Sequence, residues 1–212
     1  MPDIYLLRHG QTAWNKNRIF RGRYDIPLDS HGLAQADCVS QALEKVRLAR
    51  IYSSPLSRAV QTAEPVAGAR GLGVATVPEL LDIDYGQWTG KSQKEIEKLY
   101  PELNRQWLES PERVRFPGGE DLADVRKRAF GQLVELAEDA NEGQILVVSH
   151  RVVLKVLICA ALDMPLSRFW QVQLDTASLS VLSYERDIFT VRLINDTCHL
   201  AGLGAPEKSV DF

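Results

Sequence analysis

Two short apolar runs in this chain each deliver a histidine. Ile4-Tyr5-Leu6-Leu7 gives way to Arg8, His9 and Gly10, and Ile145-Leu146-Val147-Val148 gives way to Ser149 and His150. Runs of this length, bounded by polar or turn residues, read as strands buried on both faces. In open α/β sheets ligands bind outside the carboxyl ends of the strands, so both histidines stand where chemistry is expected. Arg8 adds a permanent cation whose fork of donors suits a phosphate or carboxylate. A histidine serves as ligand, acid, base or nucleophile. Gly10 allows a sharp turn and a close approach by a ligand. A second arginine, Arg58, lies at the start of the helix that follows Ile51-Tyr52-Ser53. Two histidines and two arginines at element ends suit a dianionic phosphoryl group, whose equatorial oxygens carry charge in the transition state. A carboxylic acid is then needed to protonate the leaving oxygen, and Asp82 and Asp84, ahead of Gly86-Gln87-Trp88, are the candidates. Each residue alone is a weak signal, because a single histidine is more often structural.

The elements that must bring these residues together alternate along the chain. A polar loop runs from Gln11 to Asp29. A helix follows, with Ser30 as its expected N-cap and Leu33, Ala36, Val39, Leu43 and Val46 at helical spacing. Ile51–Ser53 reads as a second strand, and Leu56–Ala69 as a helix that Pro65 should kink or interrupt. Val74–Val77 reads as a third, edge strand. Between Leu81 and Gly119 the pattern loosens into short helical pieces, Ser92–Leu99 and Glu102–Glu109, among Trp88, Tyr100, Trp107 and Phe116. An excursion of that length is either a lid over a binding site or a helical subdomain that adds core. A long helix from about Glu120 to Asp139 comes next, its acidic start suited to a helix N-terminus. Val152–Leu162, apolar nearly all round, reads as a buried helix beginning just after His150. Leu179–Tyr184 and Ile188–Ile194 read as a hairpin at the sheet edge, and the tail beyond Leu200 as loosely ordered. Strand–helix alternation of this kind predicts a three-layer α/β/α sandwich with a mostly parallel sheet, in a single domain over residues 1–212.

Composition narrows the function classes. A net charge of −3 and no basic run give no electrostatic footprint for nucleic acid. The longest apolar stretch, 152–162, contains Lys155 and is too short to span a bilayer. The first residues are strand-like and carry the candidate site, so no cleaved signal is expected there. Cys38, Cys159 and Cys198 are far apart with no CxxC, which points to a reducing cytoplasm and away from structural zinc. His9, His31, His150 and His199 show no metal-ligand spacing. The edge hairpin is a surface on which two copies could pair as a homodimer.

Six segments, in order, resemble a known family. They are Leu7-Arg8-His9-Gly10-Gln11-Thr12-Ala13-Trp14-Asn15, Arg21-Gly22-Arg23-Tyr24-Asp25-Ile26-Pro27-Leu28, the stretch from Tyr52 to Ala63 with Arg58, Asp82-Ile83-Asp84-Tyr85-Gly86-Gln87-Trp88-Thr89-Gly90, Phe116-Pro117-Gly118-Gly119-Glu120, and Val147-Val148-Ser149-His150. Together they resemble the histidine phosphatases of the phosphoglycerate mutase superfamily, over roughly residues 3–195. The resemblance implies that His9 is the nucleophile that becomes phosphohistidine. It implies that Arg8, Arg58 and His150 hold the phosphoryl oxygens with help from Asn15. It makes Asp82 the proton donor, and later the base that activates water. The substrate-facing positions it implies are Asn15, Arg21, Gly22, Tyr85 and His199, with a small phosphorylated substrate as partner and no metal or cofactor.

Several positions depart from the family's usual pattern. Asp82 stands where Glu is usual, which shortens the acid by one C–C bond, ~1.5 Å. Arg21 stands where Gln or Cys is common, and Arg151 where a small residue is usual. The stretch Asp196-Thr197-Cys198-His199-Leu200 resembles metal-independent phosphoserine phosphatases, which have His at the position of Tyr85. Arg21, Arg23 and His199 are left over from the phosphoryl site and suit a second anion, such as the carboxylate of phosphoserine or a phosphoglycerate. The plain alternative is that the two arginines are solvated or pair with Asp25 and Asp29. The expected activity is phosphomonoester hydrolysis; a phosphoglycerate mutase and a catalytically inactive phospho-ligand binder are the alternatives.

Overall fold

Parallel pairing of the two histidine-bearing strands sets the architecture. The computed structural model describes residues 3–140 and 143–203. In chain order the first half contains β1 (Asp3–Arg8), α1 (Ala13–Lys16), α2 (Ser30–Ala42), β2 (Leu48–Ser53), α3 (Ser57–Gly68) and β3 (Val74–Thr76). It is followed by α4 (Gln93–Leu99), α5 (Pro101–Glu109), α6 (Leu122–Asp139), β4 (Gln144–Ser149), α7 (Arg151–Ala161), β5 (Leu179–Glu185) and β6 (Ile188–Asp196), with short 3-10 turns between. The sheet order is β3-β2-β4-β1-β5-β6. The first four run parallel, and β5 and β6 form the antiparallel edge hairpin. Arg8 pairs with Ser149 and Ser53 with Val148, so the carboxyl ends of β1, β4 and β2 lie side by side.

Alternation along the strands divides the core into two layers. Ile4 and Leu6 of β1, with Ile145 and Val147 of β4, face α6 and α7. Leu7, Leu146 and Val148 face α2 and α3. The sheet is therefore covered on both faces, which is why its central strands are apolar without interruption.

Several local expectations shift. Asp29, not Ser30, caps α2, accepting a hydrogen bond from the Gly32 amide at 2.8 Å. Leu33 is 49% exposed rather than in the stripe. The cause is Gly32, where an added Cβ would lie 2.1 Å from the Gln11 carbonyl oxygen. With Gly32 turned to that contact, Gln35 is buried beside the expected Ala36, Val39 and Leu43, and Leu33 alone of these leaves the core. The helix α3 runs continuously through Pro65 to Gly68. Proline removes one N–H but leaves its own carbonyl in use, by Ala69 N and by the Ser40 hydroxyl of the packed α2. β3 is the sheet's other edge, and α6 begins at Leu122 with Asp121 as its cap. Glu120, expected in the first turn, points elsewhere. Of the tail, Cys198–Leu203 is a 3-10 turn with Leu200 buried, and residues 204–212 lie outside the described part.

The excursion over residues 81–119 carries aromatic side chains into the core. Trp88, Trp107, Val114 and Phe116 are at most 1% exposed and belong to the same cluster as β1, β4, α6 and α7. The Trp107 ring meets Phe116 at 5.1 Å and Trp170 at 5.2 Å, and its carbonyl accepts from Trp170 Nε1 at 2.8 Å. Truncating so deeply buried an indole leaves a cavity that the surroundings only partly refill. Trp107→Ala is expected to cost about 3–5 kcal/mol in urea unfolding; a loss near zero would mean that this segment contributes no core.

Candidate active site

The floor of the site is the crossover from β1 into Gly10. The His9 amide donates to Ser149 O at 3.0 Å, and the Ala177 amide donates to His9 O at 3.2 Å, so the nucleophile candidate is fixed from both sides. Beyond it the chain passes very close to α2: a Cβ at Gly10 would lie 2.7 Å from Gly32 O. Only glycine permits that approach. The Gly10 amide, left without a strand partner, donates to Thr62 Oγ1 at 3.0 Å.

His9 is fully buried, and its Nδ1 lies 2.7 Å from Gly10 O. A carbonyl only accepts, so Nδ1 carries the proton and the lone pair is on Nε2. Nε2 is itself buried and has no hydrogen-bond partner. Burial, then the charges of Arg58, Arg21 and Arg8, hold the His9 pKa well below the usual 6.5. The ring is therefore neutral at physiological pH. His150 sits at the N-cap of α7 with its ring centroid 5.2 Å from that of His9. Its Nδ1 accepts from Arg58 Nε at 3.2 Å, which leaves the proton on Nε2, 2.7 Å from Ser54 Oγ. Burial first, then Arg58, His9, Arg21 and Arg128, lower its pKa well below 6.5 too.

Arg58, in the first turn of α3, is completely buried and holds the parts together. It donates to Tyr24 O at 2.9 Å, Gly22 O at 2.8 Å and Asp82 Oδ2 at 3.3 Å, besides His150. Gly22 is needed where it lies: its φ is +50°, and a side chain there would press on Ile83 O at 3.0 Å. Arg8 is likewise buried and donates to Leu174 O. Asp82 is 5% exposed, with Oδ2 3.8 Å from His150 Nδ1. Asp84 differs. Its side chain accepts from the Gly86 amide at 2.8 Å and so closes the turn.

Of the remaining expected positions, Arg21 and Tyr85 line the cleft, and Asn15, Arg23 and His199 do not. Arg21 is 9% exposed, and its Nε and Nη1 are buried without a hydrogen-bond partner. It lines a small cleft with Asp82, Tyr85 and Arg151. Burial first, then Arg58 and Arg8, lower its pKa to about 9, which still leaves it a cation at neutral pH. Tyr85 packs edge-on against Phe20 and Phe116, and burial raises its hydroxyl pKa to about 12. That hydroxyl is hydrogen-bonded by Arg151. Asn15 Oδ1 accepts from the Thr12 amide at 2.9 Å and the Thr12 hydroxyl at 2.8 Å, a capping arrangement at the start of α1. Arg23 is 40% exposed and pairs with Glu120 at 2.8 Å, not with Asp25 or Asp29. Asp25 instead receives the Ser57 amide and hydroxyl at the start of α3. His199 hydrogen-bonds Ala177 O at 3.0 Å, beside the carbonyl contact of His9, and is not among the residues lining the cleft. The expected cluster of Arg21, Arg23 and His199 is thus replaced by Arg21 and Arg151.

Sequence reasoning also passed over Thr62 and Ser54, which hold Gly10 and His150. Both lie in the quoted Tyr52–Ala63 segment, where Ser54-Pro55 ends the strand and Thr62 is one helical turn after Arg58. Among the described residues, no group of three or more His, Cys, Asp or Glu side chains is placed to hold a metal ion. No helix of the described residues is long and apolar enough to cross a membrane.

Known proteins resemble this chain over nearly its whole length. Phosphoserine phosphatase 1 of Hydrogenobacter thermophilus is 38% identical over 200 residues, spanning 94% of this chain and 95% of that protein. A probable phosphoglycerate mutase, GpmB of Yersinia pestis, is 31% identical over 208 residues, 94% of this chain and 95% of its own. Among solved structures, YhfR of Bacillus stearothermophilus superposes with a TM-score of 0.91 at 32% identity, covering 94% of this chain and all of that one. The family model of the histidine phosphatase superfamily (branch 1) matches residues 4–197. This chain belongs to the histidine phosphatase superfamily.

Proposed function

We propose that the chain hydrolyses small phosphate monoesters through a phosphohistidine formed on His9 Nε2. The observation that carries this reading is a neutral imidazole whose buried Nε2 is unpartnered while Nδ1 is committed to Gly10 O. Such a nitrogen is a nucleophile that needs no prior deprotonation. In the first step its lone pair attacks phosphorus and the P–O ester bond breaks. The bonding pair leaves on the ester oxygen, which takes the proton of the Asp82 carboxylic acid and departs as an alcohol. In the second step the Asp82 carboxylate takes a proton from water as the water oxygen attacks phosphorus. The P–N bond breaks, its pair returns to Nε2, and inorganic phosphate is released. Arg8, Arg58 and His150 surround the phosphoryl oxygens; Asn15 assists from the start of α1. Asp82 rather than Asp84 is the acid, because Asp82 meets Arg58 and lies near His150 while Asp84 is spent on its turn. Guanidinium groups supply the charge stabilisation that metal ions supply elsewhere, and their repulsion disfavours a divalent cation at the same spot.

Carboxylate-bearing esters such as phosphoserine are the substrates that the cleft favours. Arg21 brings Nε and Nη1, both buried and without a hydrogen-bond partner, to the cleft it lines with Asp82, Tyr85 and Arg151. Those two donors are available to a second anion held beside the phosphoryl group. The cleft beside Arg21 is small and polar, which suits a compact anion such as a carboxylate. The relative named phosphoserine phosphatase points the same way. A mutase is the reading favoured by the other relative, and product analysis separates the two: hydrolysis releases phosphate and alcohol in equal amounts, whereas a mutase accumulates a second phosphomonoester.

Quenching with labelled substrate at neutral or alkaline pH should trap an acid-labile phosphoryl group that His9→Ala lacks, with turnover insensitive to EDTA. A fully active His9→Ala protein would sink the mechanism. Phosphoserine should be preferred over phosphoethanolamine, and Arg21→Ala should shrink the preference; identical ratios in both proteins would remove the carboxylate contact.

The low pKa values also set a pH dependence. Both histidines hold protons less well folded than unfolded, so below about pH 6.5 the unfolded chain binds more protons and stability falls as pH drops. At pH 6, where a free imidazole is mostly protonated, the His9 and His150 ring carbons should keep neutral NMR shifts. Protonated shifts at that pH would contradict the buried, cation-flanked arrangement.

A further inference from the structure

An aspartate carries its carboxyl one methylene from the main chain, so the backbone at Asp82 dictates where the acid stands. That backbone is held from outside the phosphoryl site. Arg128, on α6, donates through Nη1 to Glu79 O at 2.6 Å and Leu81 O at 2.7 Å, and through Nη2 to Asp82 O at 3.2 Å. The same guanidinium forms a two-pronged pair with Glu120, Nε to Oε1 at 2.9 Å and Nη2 to Oε2 at 2.9 Å. Glu120 also accepts the Asp84 amide at 3.0 Å, and its own amide donates to Asp84 O at 2.9 Å. Arg23 completes the ring, donating to Glu120 Oε1 at 2.8 Å and to Asp82 O at 3.4 Å. The segment from Glu79 to Asp84 is thus tied at five backbone atoms to one ion-paired unit. That unit is 16–18% exposed at Glu120 and Arg128 and contacts the carboxylate of Asp82 nowhere.

Burial alone would raise the Glu120 pKa, but the hydrogen bonds from Arg128 and Asp84 and the charges of Arg128 and Arg23 outweigh it and lower the value. The carboxylate therefore stays ionised through the neutral and mildly acidic range, and the unit stays closed.

We propose that the Arg128–Glu120 pair is a positioning device for the proton donor, setting the reach of Asp82 without touching substrate. It rests on the phosphatase reading with Asp82 as acid. Planar guanidinium geometry matters here: lysine offers one point of attachment where arginine offers a rigid fork. Displacement of a catalytic group by about 1 Å costs on the order of a hundredfold in rate. The cost should fall only on substrates that need the proton.

The test compares kcat for an alkyl phosphate, a poor leaving group, with kcat for p-nitrophenyl phosphate, which departs without a proton. In Arg128→Ala the alkyl rate should fall by roughly a hundredfold and the aryl rate by much less. Arg128→Lys should behave like the alanine variant rather than like wild type. Glu120→Gln keeps the shape and loses the charge, and it should shift the ratio in the same direction where Arg128→Ala fails to fold. Equal slowing of both substrates, or no slowing of either, overturns the proposal. Asp82→Asn separates the two levels of failure. If it leaves the alkyl-to-aryl ratio unchanged, Asp82 is not the acid and the underlying reading falls with it. If it shifts the ratio and the Arg128 and Glu120 variants do not, only the positioning role is lost.

Discussion

The buried guanidinium of Arg58 is the contact on which the rest of the site depends. It reaches two carbonyls of the 21–25 loop, the ring of His150 and the carboxylate of Asp82. A cation so far from water is costly unless its donors are matched. Here the matches are drawn from three separate stretches of chain, so satisfying one side chain assembles the pocket. Burial still lowers the Arg58 pKa, with Asp82 and Asp25 opposing the shift. Removing Asp82 or closing off Gly22 would each leave part of that charge unanswered.

Burial first, and then the same crowd of guanidinium groups, keep the two histidines neutral. Coulomb repulsion from Arg58, Arg21 and Arg8 adds to desolvation in keeping His9 neutral. Attraction for a phosphoryl dianion and repulsion of a proton are therefore one property of the site. The arrangement needs a hydrogen-bond acceptor that cannot be protonated to choose the tautomer, and the carbonyl of Gly10 is that acceptor.

Much of this was legible in the sequence because it rests on strand ends. His9 and His150 follow apolar runs whose parallel register is forced by burial on both faces, and Arg58 opens the next helix. What stayed hidden depends on contacts between distant elements. Arg151 reads as an oddity after His150 until Tyr85 is seen bonded to it. Arg128 sits between Val125 and Ala129 in the stripe of α6, at the edge of its core-facing side, which is a signal of a half-buried cation but not of its partners. Glu120 looked like a helix-start carboxylate, yet Asp121 took the cap and freed it for Arg128. Leu33 lies outside the core, although Ala36, Val39 and Leu43 of the same stripe are buried, because the first turn of α2 turns Gly32 against Gln11. Arg23 and His199 have side chains of the right chemistry, but their partners are Glu120 and a main-chain carbonyl.

The pairing of β1 has a consequence for the order in which the molecule is made. Among the described residues the first strand pairs in the sheet with β4 and β5, through Ile4 with Ile145 and Ile4 with Leu182, and the carbonyl of His9 waits for the amide of Ala177. A nascent chain emerging from the ribosome therefore exposes an apolar, unpaired strand until β4 has been made. Its closure must await residues far along the chain, a topology of long-range contacts that folds slowly. Chaperone capture during translation, rather than stepwise co-translational assembly, is the behaviour this topology favours for the segment bearing the nucleophile.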